Sequence, residues 1–178
     1  MQDVEIWKLV TMDKANFLEK MLGLLIENQL RYCVIGGQAV NAYTEPMITL
    51  DLDLVIAVKD LAEVETLLGE SFRVARFPHS LNITLPDTNL RVQIQTDPRY
   101  ADFVERASYR TILGIVMPVA TPIDVLQGKV WAVQDERRRA SKRQKDLADI
   151  LRLLEEFPQL KEQVPGEIRA LLFKPAIE

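Results

Sequence analysis

The sequence predicts an α/β (α+β) fold, a mixed β-sheet flanked by helices and followed by a C-terminal helical extension. Three observations predict it. Short apolar or alternating runs bounded by Gly, Pro, Asn and Asp recur through the first two thirds of the chain. Stretches with helical spacing of apolar residues interleave with them. From Thr121 onward only the helical spacing remains.

Taken in order, Met12 to Glu27 reads as an amphipathic helix with Phe17, Met21, Leu24 and Leu25 on one side. Leu30 to Ile35 is a strand, ended by Gly36-Gly37, and Gln38 to Tyr43 starts a helix. The next strand runs to Ile56, and Lys59 to Gly69 is helical. Strands follow near Phe72 to Ala75, Leu81 to Leu85 and Leu90 to Gln95, separated by Pro78-His79-Ser80 and Pro86-Asp87-Thr88-Asn89. Tyr100 to Ala107 reads as a short helix and Tyr109 to Val119 as a hairpin with Gly114 at its tip. Thr121 is a good N-cap, Pro122 fits the first helical position, and the helix continues to about Gln134 with Ile123, Leu126, Val130 and Val133 as its stripe. In the last long helix the stripe is Leu147, Ile150, Leu151 and Leu154. We expect a core over residues 1–119 and a helical extension over 120–178 packed on it as one unit.

Composition sets few limits. The 178 residues, 48% hydrophobic, suffice for a proper core. A net charge of −4, from 26 acidic and 22 basic residues, does not suggest a general nucleic-acid coat protein but leaves room for a local basic patch. The single cysteine, Cys33, cannot form an intramolecular disulfide and sits in an apolar strand, so a buried inert thiol is expected. With no signal peptide and no apolar run near the length of a membrane span, a cytoplasmic protein without membrane contact is expected.

Asp51-Leu52-Asp53 carries the chemistry. Alternate side chains of a strand share a face, so Asp51 and Asp53 point one way while Leu50, Leu52, Leu54 and Ile56 point into the core. Like charges so placed repel unless a cation lies between them, and hard oxygen ligands suit Mg²⁺ or Mn²⁺. A solvated strand face is the plain alternative. The strand, glycine turn and helix start at 30–43 supply a second element, because free N–H groups at a helix N-terminus favour phosphate.

The run Val34-Ile-Gly-Gly-Gln-Ala-Val-Asn-Ala-Tyr through Thr49-Leu-Asp-Leu-Asp-Leu-Val-Ile56 resembles the first motif of the DNA polymerase β-like nucleotidyltransferase superfamily. A second block, Thr121-Pro-Ile-Asp-Val-Leu-Gln-Gly-Lys129 followed by Arg137 and Lys145-Asp146-Leu-Ala-Asp149, resembles the branch of the AbiEii-type toxins. The resemblance implies transfer of a nucleoside monophosphate from an NTP to an acceptor hydroxyl. It assigns the metal to Asp51 and Asp53, and nucleotide contacts to Gly36, Gly37, Gln38, Lys129, Arg143 and Asp146. It also implies a toxin–antitoxin connection and an antitoxin or other protein partner.

Two departures bear on catalysis. Family members usually carry a third acidic residue on a later strand, where this chain has Gln93. A carboxamide can touch a metal through its oxygen but adds no charge and is no general base. Many relatives also have an Arg where Met47 stands. A catalytically weak binding module is therefore the competing expectation. Lys129 can bind phosphate or lay its stem along the core. Residues 137–145 hold six basic side chains in nine positions, which reads either as a solvated helix entrance or as a contact for triphosphate or an RNA acceptor. Trp131, Tyr43 and Tyr100 could stack on a base or simply pack. His79, without a second histidine, reads as structural.

Overall fold

In the computed structural model, which describes residues 16–57, 61–112 and 114–173, seven strands form one mixed sheet in the order β3-β4-β5-β2-β1-β7-β6. The strands are β1 (Tyr32–Ile35), β2 (Asp51–Ile56), β3 (Arg73–Phe77), β4 (Ser80–Thr84), β5 (Arg91–Gln95), β6 (Ser108–Ile112) and β7 (Ile115–Val119). Two pairings are parallel, β2 with β5 and β1 with β7, and the others are antiparallel. The mixed sheet predicted from the sequence is thus present.

The α-helices described are α1 (Phe17–Glu27), α2 (Gly36–Asn41), α3 (Leu61–Gly69), α4 (Phe103–Arg106), α5 (Pro122–Gln134), α6 (Ala140–Glu156) and α7 (Gly166–Leu172). Helix α1 buries Phe17, Leu18, Met21 and Leu25, and the Phe17 ring meets Phe72 at 5.2 Å. Helices α5 and α6 pack on each other and on α2, which seats the C-terminal helices beside the middle of the sheet. The core joins Val34, Leu52, Leu54, Val92 and Ile94 of the sheet to Val125, Val130, Ile150 and Leu153 of these helices. Full burial of each such side chain contributes about 1.5–3 kcal/mol. Cys33 lies fully inside, and burial pushes its thiol pKa up to about 12, which leaves it inert.

Three boundaries differ from the sequence expectation. The helix expected from Gln38 begins at Gly36. The helix expected over 100–107 is a 3₁₀ turn, Pro98–Tyr100, followed by the short α4. Asp97 explains the split: its carboxylate accepts from the Arg99 backbone N–H, and Pro98 fixes the first position of the turn. The hairpin β3–β4 is longer than predicted, with Pro78-His79 as its turn. The predicted helical positions Met12 to Ala15 and Lys59 to Asp60 lie outside the described residues.

Candidate active site

Register places the acidic pair. Antiparallel pairing sets Asp53 opposite Ile35, so the turn into α2 passes directly beside Asp53. Gly36 has φ 66°, and a Cβ built there would lie 2.1 Å from Asp53 Oδ2. Only glycine fits this approach. Gly37 is different, because a Cβ there would meet Thr49 at 3.7 Å, an ordinary contact. Parallel pairing on the other side sets Arg91 beside Asp51 and Gln93 beside Asp53. The burial pattern of β2 confirms the alternation, with Leu52 and Leu54 inside and both aspartates partly open.

These residues border a cleft of about 540 Å³ between the sheet and α5–α6. Gly36, Asp51, Asp53, Gln93, Lys129 and Asp146 line it, so six of the nine residues expected at the site come together. Gly37, Gln38 and Arg143 do not line it. Gln38 is buried, and its Nε2 donates to the Thr49 carbonyl at 3.4 Å. With α2 starting two residues early, the Gln38 side chain turns inward and braces the segment before β2. Arg143 Nη2 donates to the Asp135 carbonyl at 2.8 Å and fastens α6 to the end of α5.

Asp51 and Asp53 have unequal surroundings. Arg91 Nε lies 2.9 Å from Asp51 Oδ1, and Lys142 Nζ 3.6 Å from Oδ2. Asp53 has no ion pair among the described residues. Burial pushes its pKa up to about 6, with Asp51 adding to the rise and Lys129, Lys142 and Arg138 opposing it.

Asp146 and Asp149 form a second pair, buried between helices. Lys129 Nζ lies 3.0 Å from Asp146 Oδ1 and 2.7 Å from Asp149 Oδ2. Burial alone would lower the Lys129 pKa, but Asp149 and Asp146 outweigh it and hold the amine above its ordinary value. Arg138 bonds Asp146 Oδ2 at 2.8 Å, and Arg152 bonds Asp149 Oδ1 at 2.9 Å. Arg152 also donates to Asn41 Oδ1 and Thr44 Oγ1, which ties α6 to the chain leaving α2.

The cleft holds residues that sequence reasoning missed or discounted. His79, Gln95, Asp97, Arg99, Arg138 and Lys142 all line it. His79 arrives through the β3–β4 turn, a tertiary placement with no local signal. Arg138 and Lys142 were visible only as members of the basic run. Trp131 and Tyr100 also line the cleft, but Trp131 stacks on Phe103 at 5.9 Å and carries Arg99 over its ring at 4.8 Å. Tyr43 lies elsewhere, its hydroxyl donating to the Ala120 carbonyl and its ring against Phe157.

The donor set suits a hard cation that brings ligands with it. Asp51 and Asp53 offer carboxylate oxygens and Gln93 an amide oxygen, and Mg²⁺ is commonly held by one or two carboxylates plus substrate phosphates. Among the described residues no cluster of three or more His, Cys, Asp or Glu side chains forms a self-sufficient metal centre. None of the described helices is long and apolar enough to cross a membrane.

Comparison with solved structures agrees with the topology. The antibiotic-resistance factor ANT(2")-Ia, solved in complex with adenylyl-2"-tobramycin, superposes with a TM-score of 0.60 at 14% identity, covering 88% of this chain and 95% of that one. An antigenic nucleotidyltransferase-like protein from Paracoccidioides brasiliensis gives 0.56 at 19% identity, covering 91% and 87%. The lincomycin-bound lincosamide adenylyltransferase LnuA gives 0.54 at 12% identity, covering 80% and 99%. At these identities the likeness establishes a shared nucleotidyltransferase fold. No curated protein is significantly similar in sequence. The family model described as nucleotidyl transferase AbiEii toxin, type IV toxin–antitoxin system, matches residues 38–174, most of the chain and both pairs of aspartates. The protein therefore belongs to the AbiEii family of nucleotidyltransferases.

Proposed function

We propose that this nucleotidyltransferase moves a nucleoside monophosphate from an NTP to an acceptor hydroxyl in a Mg²⁺- or Mn²⁺-dependent reaction, and that the acceptor is an RNA end. The observation that carries the reading is the Asp51/Asp53 pair, held on one strand, open to a cleft, and pressed against a glycine turn. The acceptor oxygen attacks the α-phosphorus, the bond from that phosphorus to the bridging oxygen breaks, pyrophosphate leaves, and the acceptor proton passes to water. The cation, when bound, neutralises charge developing on the phosphoryl oxygens. Asp51 and Asp53 hold it, and Gln93 accepts or donates a hydrogen bond beside them without taking a proton.

The chain's cations do the remaining work. Lys142, at the edge of the acidic pair, is free to swing to a phosphate, and Arg137 and Arg138 extend the basic border of the cleft. Lys129 serves as the buried counter-charge that fixes Asp146 and Asp149, and so acts on nucleotide binding by holding α5 to α6. Basic residues on the cleft border exceed what one triphosphate requires, which supports an RNA acceptor. Tobramycin and lincomycin in the fold neighbours make a small hydroxylated molecule the second reading. An antitoxin partner follows from the family alone.

Incubation with each α-³²P NTP, Mg²⁺ or Mn²⁺, and total tRNA tests this reading. Label should move to RNA with wild type and not with Asp53→Asn. Binding should weaken with salt at a log–log slope near −0.7 per phosphate neutralised, and Arg137→Gln should flatten it. Label on protein or on no acceptor, with no RNA bound at low salt, would refute the RNA assignment.

A further inference from the structure

Asp51 is not a free ligand. Its two oxygens are both engaged, Oδ1 by Arg91 Nε at 2.9 Å and Oδ2 by Lys142 Nζ at 3.6 Å. The first contact is built into the sheet, since Arg91 is the residue that faces Asp51 across the parallel β2–β5 ladder. The second comes from α6, on the far side of the cleft. Asp53, two residues along the same face, carries no such partner among the described residues. The four groups sum to zero formal charge. A bare divalent cation approaching Asp51 must therefore displace a guanidinium and an ammonium. In return it gains two carboxylates and the Gln93 amide oxygen.

We propose that Arg91, assisted by Lys142, guards Asp51 so that the divalent cation binds weakly alone and tightly together with a nucleotide. The inference rests on the nucleotidyltransferase reading above and adds to it an order of entry. A triphosphate changes the balance in two ways. Its oxygens give Arg91 and Lys142 new anionic partners and draw them off the carboxylate. They would also supply oxygen ligands that two aspartates cannot. Both cationic side chains are substantially exposed, 63% for Arg91 and 45% for Lys142, so leaving the carboxylate requires no disruption of the core. Thermodynamic linkage makes the effect mutual: nucleotide strengthens metal binding by the same factor by which metal strengthens nucleotide binding. Arg91 is in this sense a positioning residue, acting on the metal through Asp51.

The test reads the metal directly. Free Mn²⁺ is followed by electron paramagnetic resonance in titrations of wild type, Arg91→Gln, Arg91→Lys and Asp51→Asn, each with and without a non-hydrolysable NTP analogue. Without nucleotide, wild type should retain Mn²⁺ about tenfold less tightly than Arg91→Gln, since a neighbouring positive charge and an ion pair have both been removed. Arg91→Lys keeps the charge and should keep the weak binding, while the tighter binding of Arg91→Gln is a gain that a loss of fold would not produce. With the analogue present, wild type and Arg91→Gln should converge. Equal Mn²⁺ affinity of these two proteins without nucleotide, alongside Mn²⁺ binding that still needs Asp51, would overturn the guard while leaving the metal-dependent reading standing. Failure of every protein to retain Mn²⁺ even with the analogue would overturn both.

Discussion

Two pairs of aspartates, Asp51/Asp53 and Asp146/Asp149, meet at one cleft, which three of the four line and Asp149 lies behind, and they are built to opposite ends. Asp51 and Asp53 are two apart on a strand, Asp146 and Asp149 three apart on a helix, and both spacings put the carboxylates on one face. The helical pair is almost completely buried and is met by three cations, Lys129, Arg138 and Arg152. The strand pair opens into the cleft, with two exposed cations on Asp51 and no ion pair on Asp53 among the described residues. Charge saturation separates them. A saturated pair holds two helices in register; an unsaturated pair keeps capacity for a ligand, at a cost to the folded state. Buried charge is tolerated only when paired, so the Asp53 site persists because the sheet and Gly36 fix its surroundings.

The largest expected effect tests the unsaturated pair. Asp51→Asn or Asp53→Asn should lower the transfer rate by ~10³-fold or more, about 4 kcal/mol of transition-state stabilisation, because the charge that holds the cation is halved. Thermal stability should stay level in the first variant and rise in the second, measured by calorimetry without nucleotide. Lys129→Met makes the opposite change, since it removes the one cation that two buried carboxylates share and leaves each with a single arginine. Unfolding by urea should show a loss of about 3–5 kcal/mol. A variant that unfolds like wild type would end the structural assignment of Lys129 and return it to phosphate binding.

The difference between the pairs was only partly legible in the sequence. Strand alternation and the Gly-Gly turn located Asp51, Asp53 and Gly36, because a period of two and a required positive φ are local properties. The partners of Asp146 were not local. Helical spacing points to Arg143, three residues earlier, whereas the structure uses Arg138, which precedes α6 and is brought back by the turn after α5. Gln38 illustrates the same limit, since a helix start displaced by two residues turns its side chain from the cleft to Thr49. His79 reaches the cleft only because β4 pairs with β5, a contact that the residues around the turn do not announce.

The two glycines sharpen the contrast at a smaller scale. Gly36→Ala should cost about 2–4 kcal/mol in stability and disturb Asp53, from the left-handed backbone and the clash with Oδ2 together. Gly37→Ala, with its nearest contact at 3.7 Å, should change the urea midpoint little. Equal losses in both variants would mean that the turn as a whole, and not the approach to Asp53, requires glycine.

Asp53 also gives the fold a pH signature. Its folded pKa of about 6 lies above the ordinary carboxylate value, so the folded state holds its proton more tightly than the unfolded state. The associated stability is fully present below about pH 4 and is lost as pH rises through about 6, amounting to about 1–3 kcal/mol. Asp53→Asn should remove that slope. Urea midpoints of the two proteins should therefore diverge from pH 4 to pH 7, with the variant the more stable; parallel curves would show that Asp53 is solvated after all.

Gln93→Asp asks whether the unsaturated pair is one carboxylate short. Gln93 faces Asp53 across the β2–β5 ladder, so the substitution puts a third carboxylate beside the second without moving the backbone. In the absence of metal the added charge lies next to an already desolvated aspartate, and stability at pH 7 should fall. With Mg²⁺ and NTP the same charge becomes an extra ligand and a proton acceptor for the attacking hydroxyl, and transfer should rise about tenfold, roughly 1.4 kcal/mol. The opposite signs distinguish this from a general improvement in folding. A correctly folded variant whose rate is unchanged or lower would show that proton removal does not limit the reaction. Asp97 would not explain that result by acting as base, because its carboxylate is held below the usual range by the Arg99 guanidinium and already caps the following turn. The limiting step would then lie in nucleotide and metal entry past Arg91.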